Sequence, residues 1–499
     1  MAQPSTPLPD VLYTAAQVRE LDARVIAAGT PGLDLMQRAA AACWQALRMR
    51  WPQAGAITVF TGAGNNAADG FLIAAMAQHA GWQVTLYTLA DTARFVGDAA
   101  AAFAQARDAG VACQPWAPGA PLRGVVVDAL FGTGLARDVT GSYQQAIAAI
   151  NGSGLGVLAV DIPSGLSADT GHVLGEAVRA QLTVTFIGLK LGLFTGEAPA
   201  YVGALVFDDL QAPAAIVAQV AGAATLLAPG RLPLPAPRKA TAHKGQFGRV
   251  LVVGGERGTG GAAIMAAEAA LRSGAGMVSL ATREVHLAPA LTRLPEVMTA
   301  AVSSANQLLP LLKAASVLVA GPGMGTWAWA RSLLSVVAGQ RQAQVWDADA
   351  LNLLAEGAVT VPTQAVITPH PGEAARLLGI STAEVQADRP AAAHALAARY
   401  QCVCVLKGSG SLIVAPDGRL ALCDRGHPAM ATAGLGDVLS GLIGALLAQH
   451  MAAFEAACLG VWLHARAGEL QGQQGRGLAA VDLIPSIRQL LEELAPCTA

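Results

Sequence analysis

Short apolar segments alternate with longer amphipathic segments through most of the chain, a pattern that predicts strands separated by helices. Thr14–Ala28 and Leu33–Met49 are predicted helices that precede the alternation, and Thr14 with Gln17 predicts a capping box. The strands predicted in the first half are Ile57–Phe60, Gln83–Thr88, Val125–Asp128, Gly156–Val160, Leu182–Phe186 and Ala204–Phe207. Fully apolar strands joined by helices are typical of a parallel sheet that is covered on both faces.

The second half repeats this pattern after a proline-rich segment. Its predicted strands are Arg249–Val253, Met277–Ala281, Ser316–Ala320, Gln344–Trp346, Ala365–Thr368 and Cys402–Lys407. A chain of 499 residues is long enough for two or more domains. We therefore predict an α/β protein with two domains, over residues 1–228 and 239–499, and read the proline-rich residues 229–238 as the linker.

Composition narrows the classes of function. The net charge is −2 and only 13% of residues are charged, so neither nucleic acid nor an acidic membrane is an expected partner. The start of the chain lacks the basic and apolar regions of a secretory signal, and no apolar stretch is long enough to span a bilayer. The seven cysteines form no C-x-x-C pair and are typical of reduced thiols. We expect a cytoplasmic protein that acts on small molecules.

A glycine loop near the C-terminus is the strongest chemical signal. Ala431–Asp437 contains Gly434 and Gly436 and leads directly into the apolar run Val438–Ala448, which predicts a helix. Free amides and the partial positive charge at a helix start favour a phosphate. A carboxylate at this place suggests phosphoryl transfer, with Asp437 taking the proton of a substrate hydroxyl. The alternative is that Asp437 only caps its helix.

In the first half, the strand that ends at Phe60 runs into Thr61–Gly70. Gly62, Gly64 and Ala67 satisfy the G-x-G-x-x-A dinucleotide fingerprint, and Asp91 lies near the position of its ribose-binding acid. These features predict a Rossmann-like parallel sheet.

Other polar residues follow strand ends in the same half: Asn66, Asp128, Asp161 and Ser164. Because ligands bind at the carboxyl ends of parallel strands, we expect these residues to converge on one rim. Their oxygen atoms suit a hard cation. The alternative is that Asp128 and Asp161 only cap helices or brace loops.

Loops of the second half also carry polar residues after strands. Lys407–Ser411 offers amides, hydroxyls and one ammonium group to a nucleotide phosphate, although the same residues could form a plain hairpin turn into Leu412–Ala415. His370 lies between prolines near Glu373 and is either a loop residue or a catalyst. Neither a Walker motif nor a protein-kinase signature is present.

These motifs together resemble known families. The second half is similar to ADP-dependent NAD(P)H-hydrate dehydratases of the ribokinase-like superfamily through HKGQFGRVLVVGG, GGAAIMAAEAALRSGAGMV, GPGMG, DADALN, TPHPGE, KGSGS and TAGLGD. The first half is similar to NAD(P)H-hydrate epimerases through GAGNNAADGF, DALFGTGL and VDIPSGLSADTG. The order of the two halves resembles the bifunctional NAD(P)H-hydrate repair enzymes of bacteria. The resemblance implies a Rossmann-like epimerase domain followed by a ribokinase-like α/β sandwich.

The implied activity is metabolite repair. The first domain would interconvert the R and S hydrates of NADH and NADPH (NADHX and NADPHX), and the second would dehydrate the S form while converting ADP to AMP and phosphate. Potassium is the implied ion of the epimerase domain, and magnesium is expected with the nucleotide phosphates. A homo-oligomer is the expected assembly.

The resemblance also assigns residues. The implied hydrate contacts in the first domain are Asn65, Asn66, Ala67, Ala68, Asp69, Gly132, Thr133, Gly134, Leu135, Ala136, Arg137, Asp138 and Asp161. Those in the second domain are Ala262, Gly325, His370 and Asp437. The implied ADP contacts are Lys407, Gly408, Ser409, Gly410, Ser411 and Gly436, and the implied potassium ligands are Asn66, Asp128 and Ser164. Asp161 is the expected proton-handling group of the epimerase.

One departure from the family pattern affects the first domain. Ala67 and Ala68 stand where the family usually has two glycines, and their methyl groups restrict the approach of the backbone to a ligand. Two other functions are compatible with the motifs. An ATP-dependent small-molecule kinase of the hydroxymethylpyrimidine or ribokinase type would release a stable phosphorylated product, whereas a nucleotide-sensing regulator would bind without turnover.

Overall fold

A computed structural model describes residues 8–498 as two compact units that divide between Thr225 and Leu226. Residues 1–7 and 499 lie outside the described range. The N-terminal segment in which we looked for a secretory signal therefore falls mostly outside it. The strands of the N-terminal unit are β1 Val11–Tyr13, β2 Ala56–Thr61, β3 Gln83–Thr88, β4 Cys113–Pro115, β5 Val125–Ala129, β6 Val157–Val160, β7 Leu182–Phe186, β8 Leu189–Lys190, β9 Ala204–Asp208 and β10 Ala224–Leu226. Its helices are α1 Ala15–Ala27, α2 Gly32–Arg50, α3 Asn65–His79, α4 Gly97–Asp108, α5 Gly141–Gly152 and α6 Ala214–Val217.

The predicted parallel sheet of the N-terminal unit is confirmed. Seven strands pair in parallel in the order β4-β3-β2-β5-β6-β7-β9. Helix α1 starts after Thr14, whose capping box with Gln17 is also confirmed. Strands β1, β4, β8 and β10 were not predicted, because two or three residues are too few for a periodic pattern.

The alternation of side chains along these strands shows that both faces of the sheet are buried. Ile57, Val59 and Val127 belong to one apolar core, whereas Phe60 and Val126 belong to the core on the opposite face. Successive strand residues point to opposite faces, so a strand covered on both sides must be apolar throughout. This requirement explains why the short apolar segments identified the sheet correctly.

The C-terminal unit is a second α/β sheet structure. Its strands are β11 Arg249–Val253, β12 Met277–Thr282, β13 Met298–Ala301, β14 Val317–Ala320, β15 Ala343–Trp346, β16 Ala365–Ile367, β17 Val403–Leu406, β18 Ser411–Val414 and β19 Leu420–Cys423. Its helices are α7 Gly260–Arg272, α8 Leu287–Arg293, α9 Ala305–Ala314, α10 Ala328–Ala338, α11 Asp349–Ala355, α12 Pro371–Leu378, α13 Thr382–Ala387, α14 Arg389–Tyr400, α15 Leu435–Ala448, α16 Ala453–Gly472 and α17 Leu483–Leu494.

The strand order of this unit is β13-β12-β11-β14-β15-β16-β17-β18-β19. The strands from β13 to β17 pair in parallel, but β18 and β19 are antiparallel. The hairpin alternative for Lys407–Ser411 is therefore correct as local structure, since these residues join β17 to β18. The apolar run after Gly434 forms α15, which is buried along nearly its whole length. Within residues 8–498, no helix has both the length and the apolar character needed to cross a bilayer.

Candidate active sites

The N-terminal unit contains a cavity of about 730 Å³. The predicted hydrate contacts that line it are Asn65, Asn66, Asp69, Gly132, Thr133, Gly134, Leu135, Ala136, Arg137 and Asp161. Ala67, Ala68 and Asp138 are not among the lining residues. These predicted contacts follow the carboxyl ends of β2, β5 and β6, where ligands bind in this type of fold, and residues of α1 and α2 also line the cavity.

Close packing explains the small residues between β2 and α3. A Cβ atom on Gly62 would overlap the carbonyl oxygen of Leu130, and one on Gly70 would lie 2.7 Å from the Cβ of Ala129. Ala67 and Ala68 are fully buried in the apolar core that includes α3. Their methyl groups therefore contribute to the core of the unit. Asp91, near the position of a ribose-binding acid, instead accepts a hydrogen bond from the Ala93 amide and does not line the cavity.

The predicted cation-binding residues form one hydrogen-bonded network beside the cavity. The Ser164 hydroxyl donates to Asp128 Oδ1 (2.6 Å), and the Ser164 amide donates to Asp128 Oδ2 (2.8 Å). The amide of Phe131 donates to Ser164 Oγ (2.8 Å), while Asn66 Nδ2 donates to the Phe131 carbonyl (2.9 Å). Burial raises the pKa of Asp128 to about 6 despite the hydrogen bonds from Ser164. The network brings the three predicted residues together through Phe131, which the sequence did not single out.

A buried ion pair lies in the wall of the same cavity. Lys190 is 1% exposed and donates to Asp161, to Thr185 Oγ1 (3.0 Å) and to the Phe186 carbonyl (3.1 Å). Asp161 adopts a φ of 68°, which is unusual for a residue other than glycine and is often found at functional sites. The sequence singled out Asp161, but it did not identify Lys190 as the partner of this acid.

Two further carboxylates share the environment of Lys190. Burial raises the pKa of Asp69 well above its ordinary value, with Asp161 and Asp22 adding to the rise. Burial also raises the pKa of Asp22 to about 6, although Lys190 opposes that rise. Both residues line the cavity. A single ammonium group thus faces three acids, which favours the retention of protons on some of them.

In the C-terminal unit, α15 begins at the predicted glycine loop. Gly434 has a φ of 88°, and a Cβ atom there would lie 2.8 Å from Met265 Cε, so glycine suits both the turn and the packing. Asp437 lies in the first helical turn. Burial raises the pKa of the Asp437 carboxyl to about 7, Asp347 adds to the rise, and Lys407 opposes it. A carboxyl group with a pKa near neutrality is suited to proton transfer.

Lys407 connects the acids of this site. Its Nζ atom lies 2.7 Å from Asp347 Oδ1 and 3.9 Å from Glu373 Oε2. Burial raises the pKa of Glu373 to about 7, while Lys407 opposes that rise. His370 Nε2 lies 3.6 Å from Glu373 Oε1, and His370 also caps α12. Asp347 and Glu373 were not among the predicted site residues, although both lie in strings that follow strands.

The other predicted residues of this unit flank the cluster. A Cβ atom on Gly436 would lie 3.1 Å from both Asp347 Oδ2 and Lys407 Nζ, which places the start of α15 beside this ion pair. The amide of Gly325 donates to Asp349 Oδ2 (2.7 Å). A Cβ atom on Gly323 would lie 3.2 Å from the Cβ of Ala262, so the loop that carries Gly325 contacts the start of α7, which carries Ala262.

A buried arginine supports the turn that contains Gly408, Ser409 and Gly410. Arg389 donates to the carbonyl oxygens of Leu406, Lys407 and Gly410, each at 3.3 Å. Burial lowers the pKa of Arg389 to about 10. Ser411, at the end of the turn, donates from Oγ to the Gly408 carbonyl (3.0 Å). The sequence did not predict this role of Arg389, because the residue precedes the turn by a whole helix.

Family comparisons match both units. Residues 32–192 match the model of the YjeF-related protein N-terminus, and residues 250–489 match that of NAD(P)H-hydrate dehydratase. The C-terminal unit resembles the crystal structure of a ribokinase-like superfamily protein from Enterococcus faecalis, with 29% identity and a TM-score of 0.51 over 54% of this chain and 96% of that one. The fold and the cluster around Asp437 thus define an α/β protein with a ribokinase-like C-terminal unit, as the sequence predicted.

Two curated relatives extend over nearly the whole chain. The bifunctional NAD(P)H-hydrate repair enzyme of Coxiella burnetii is 46% identical over 488 residues, covering 96% of this chain and 99% of that protein. The enzyme of the same name from Escherichia coli is 40% identical over 464 residues, covering 92% and 89%. The chain belongs to the family of bifunctional NAD(P)H-hydrate repair enzymes. The predicted family is confirmed, and the small-molecule kinase alternative is not favoured.

Proposed function

We propose that the chain repairs hydrated NADH and NADPH with two active sites. The N-terminal unit interconverts the R and S hydrates, and the C-terminal unit removes water from the S hydrate at the expense of ADP. The names of relatives that match both units support this assignment. The observation that carries the chemistry is the cluster in which Asp437, at a glycine-rich helix start, lies near Lys407 and Asp347.

The hydroxyl of the hydrate is a poor leaving group, and the dehydratase must convert it into a good one, a phosphate ester. Asp437 takes the proton of the hydrate hydroxyl, whose oxygen attacks the terminal phosphorus of ADP and releases AMP. The C–O bond to the new phosphate ester then breaks, the neighbouring ring carbon gives its proton to the departing phosphate, and phosphate and NAD(P)H are formed. The amides of the Gly434–Gly436 turn stabilise the charge on the transferred phosphoryl group. Ala262, Gly325 and His370 complete the proposed hydrate contacts.

The ADP site lies between the turn from Lys407 to Ser411 and the start of α15. The proposed ADP contacts are Lys407, Gly408, Ser409, Gly410, Ser411 and Gly436. Arg389 supports the turn through hydrogen bonds to its carbonyl oxygens. Magnesium usually reaches such sites with the nucleotide phosphates and one or two carboxylates. The acids around Lys407 offer oxygen atoms, but residues 8–498 contain no group of three or more His, Cys, Asp or Glu arranged to hold a metal by themselves.

In the N-terminal unit, most of the proposed hydrate contacts line the cavity, and Asp161 is the proposed proton acceptor. Asn66, Asp128 and Ser164 fit a potassium ion, because they present carboxylate, amide and hydroxyl oxygens in one connected network. When bound, the ion supplies positive charge beside the hydrate. The side chains of Asn66 and Ser164 also position the Phe131 carbonyl, so the network connects the ion site to the loop that lines the cavity.

Purified protein incubated with separated R and S hydrates tests both activities. With ADP, the S hydrate should regain the absorbance of NAD(P)H directly, and the R hydrate should do so after epimerisation. Recovery of the S form alone would contradict the epimerase assignment, whereas a stable phosphorylated product would contradict the dehydratase assignment. Omitting potassium should slow only the epimerisation. The predicted homo-oligomer and cytoplasmic location are tested by light scattering and by cell fractionation.

A further inference from the structure

A carboxylate lies on the buried face of α1, where an apolar residue is expected. Val18, Leu21 and Val25 are the buried apolar residues of this face, and Asp22 follows Val18 by four positions and lines the cavity. Residues four apart lie on the same side of a helix. Placing a carboxylate there costs desolvation energy unless a charge or a ligand compensates for it. The position of Asp22 therefore requires an explanation.

The loop that carries Lys190 packs against the same helix. A Cβ atom on Gly188 would lie 2.9 Å from Leu21 Cδ1, so the loop and α1 are in close contact. Asp22 interacts electrostatically with Lys190 and Asp161, both of which also line the cavity. Asp22 and Asp161 thus enter one cavity from different elements, and Lys190 is their shared cation.

Asp69 gives independent support for a ligand in this cavity. The residue is 9% exposed, and its Oδ1 atom is buried without a hydrogen-bond partner among residues 8–498. An unpaired buried acceptor is costly, and a polar ligand in the cavity would remove this cost. The acids around Lys190 therefore surround a space that suits a hydroxylated ligand.

We propose that Asp22 is the second proton-transfer group of the epimerase, acting as the acid while Asp161 acts as the base. This role rests on the proposed function of the N-terminal unit. Asp161 is ion-paired with Lys190. Asp22 has no direct hydrogen bond to the lysine among the described contacts, and burial raises the pKa of its carboxyl to about 6. Two acids in different environments can thus take opposite roles.

The proposed epimerisation needs no cofactor. The proton of Asp22 passes to the hydroxyl of the hydrated ring carbon, the C–O bond breaks, and water leaves with the ring nitrogen and carbon joined as an iminium. A water molecule then adds to the opposite face of that carbon and loses a proton to Asp161. The proton returns from Asp161 to Asp22 before the next turnover, by way of Lys190 or the solvent. The sum is inversion of one carbon with no net change in atoms or electrons.

Asp22→Asn tests this role in the full-length protein. Interconversion of the separated hydrates is followed by chromatography without ADP and corrected for the uncatalysed rate. The variant should lose epimerisation kcat by ~100-fold, the scale of a lost general acid, with little change in KM. Dehydration of the S hydrate with ADP, measured on the same preparation, should remain normal. Glu20→Gln is the matched control, because Glu20 is an exposed carboxylate on the same helix and pairs with Arg24.

The pH profile separates a proton donor from a structural residue. Burial raises the pKa of Asp22 to about 6, with Lys190 opposing the rise and Asp161 adding to it. Other charged residues that line the cavity are Arg19, Asp69, Asp98 and Arg137. Wild-type kcat should fall as pH rises through that value, because Asp22 loses the proton that it donates. This fall in kcat should be absent in Asp22→Asn and kept in Asp22→Glu. If the asparagine variant does not fold, the pH profile of the glutamate variant still tests the role of Asp22.

Three results would overturn the role of Asp22: an epimerisation kcat within a few-fold of wild type in Asp22→Asn, a loss confined to KM, or an unchanged pH profile. A different result would overturn the proposed function itself. If the wild-type chain does not accelerate interconversion of the hydrates at all, the N-terminal unit is not an epimerase, whatever Asp22 does.

Discussion

Replacing Asp437 with asparagine should inactivate the dehydratase and stabilise the C-terminal unit at the same time. The change removes the proposed base but keeps the shape of the side chain, so kcat for the S hydrate should fall by ~100-fold or more. In the wild type, kcat should rise as pH rises through about 7, because Asp437 must lose its proton to act as a base. The asparagine variant should lack this dependence.

The gain in stability follows from the buried charge. Burial and the nearby Asp347 raise the pKa of Asp437 from 3.8 to about 7. Between these values the folded unit binds more protons than the unfolded chain, so its stability falls as pH rises from the lower value through the upper one. A shift of about three units corresponds to at most roughly 4 kcal/mol above neutral pH. Partial solvation and the Lys407 charge reduce this to on the order of 1–2 kcal/mol.

Asparagine does not ionise and should recover this energy, which corresponds to a rise in Tm of about 2–8 °C. The assays are absorbance recovery with S hydrate and ADP, and thermal unfolding below and above neutral pH. Asp417→Asn is the control, because Asp417 lies in the exposed turn between β18 and β19 and pairs with Arg419. It should leave kcat unchanged and should not raise Tm. Near-normal kcat in the Asp437 variant would refute the base, and an unchanged Tm above pH 7 would refute the energetic argument.

Three further variants test other parts of the two sites. Ser164→Ala removes the hydroxyl between Asp128 and the Phe131 amide, so the activation of epimerisation by potassium should be roughly 10-fold weaker in a KCl titration. An unchanged titration would contradict the proposed ion site. Arg389→Lys loses the planar group that binds three carbonyl oxygens, so KM for ADP should rise roughly 10-fold, and an unchanged KM would show that the turn does not need it. Ala67→Gly removes a buried methyl group within α3 and should destabilise the N-terminal unit by ~1 kcal/mol in thermal unfolding without faster epimerisation, whereas a faster enzyme would show that the methyl restricts the ligand.

The C-terminal sheet shows where prediction from the sequence stops. The apolar runs located β11, β12 and β14 to β17, whereas β18 was predicted only as the hairpin alternative and β19 was not predicted. The antiparallel direction of β18 and β19 depends on pairing partners and is not encoded in apolar periodicity. Strand β13 was not predicted, since its half-buried residues do not give a continuous apolar run. The family motifs likewise identified the loops of the two sites but not the contacts between those loops, because such contacts join segments that are far apart in the sequence.

The sequence by itself determined the two α/β halves, the Thr14 cap, the phosphate-type loop before Asp437 and the family, because these depend on local periodicity and on residues close together in the chain. Tertiary structure decided which charges meet. It brought Lys407 to Asp347 and Lys190 to Asp161, and it turned Asp22 from an amphipathic helix into the cavity. The pKa of a side chain depends on its burial and on the charges around it, and these are set by chain segments far apart in sequence.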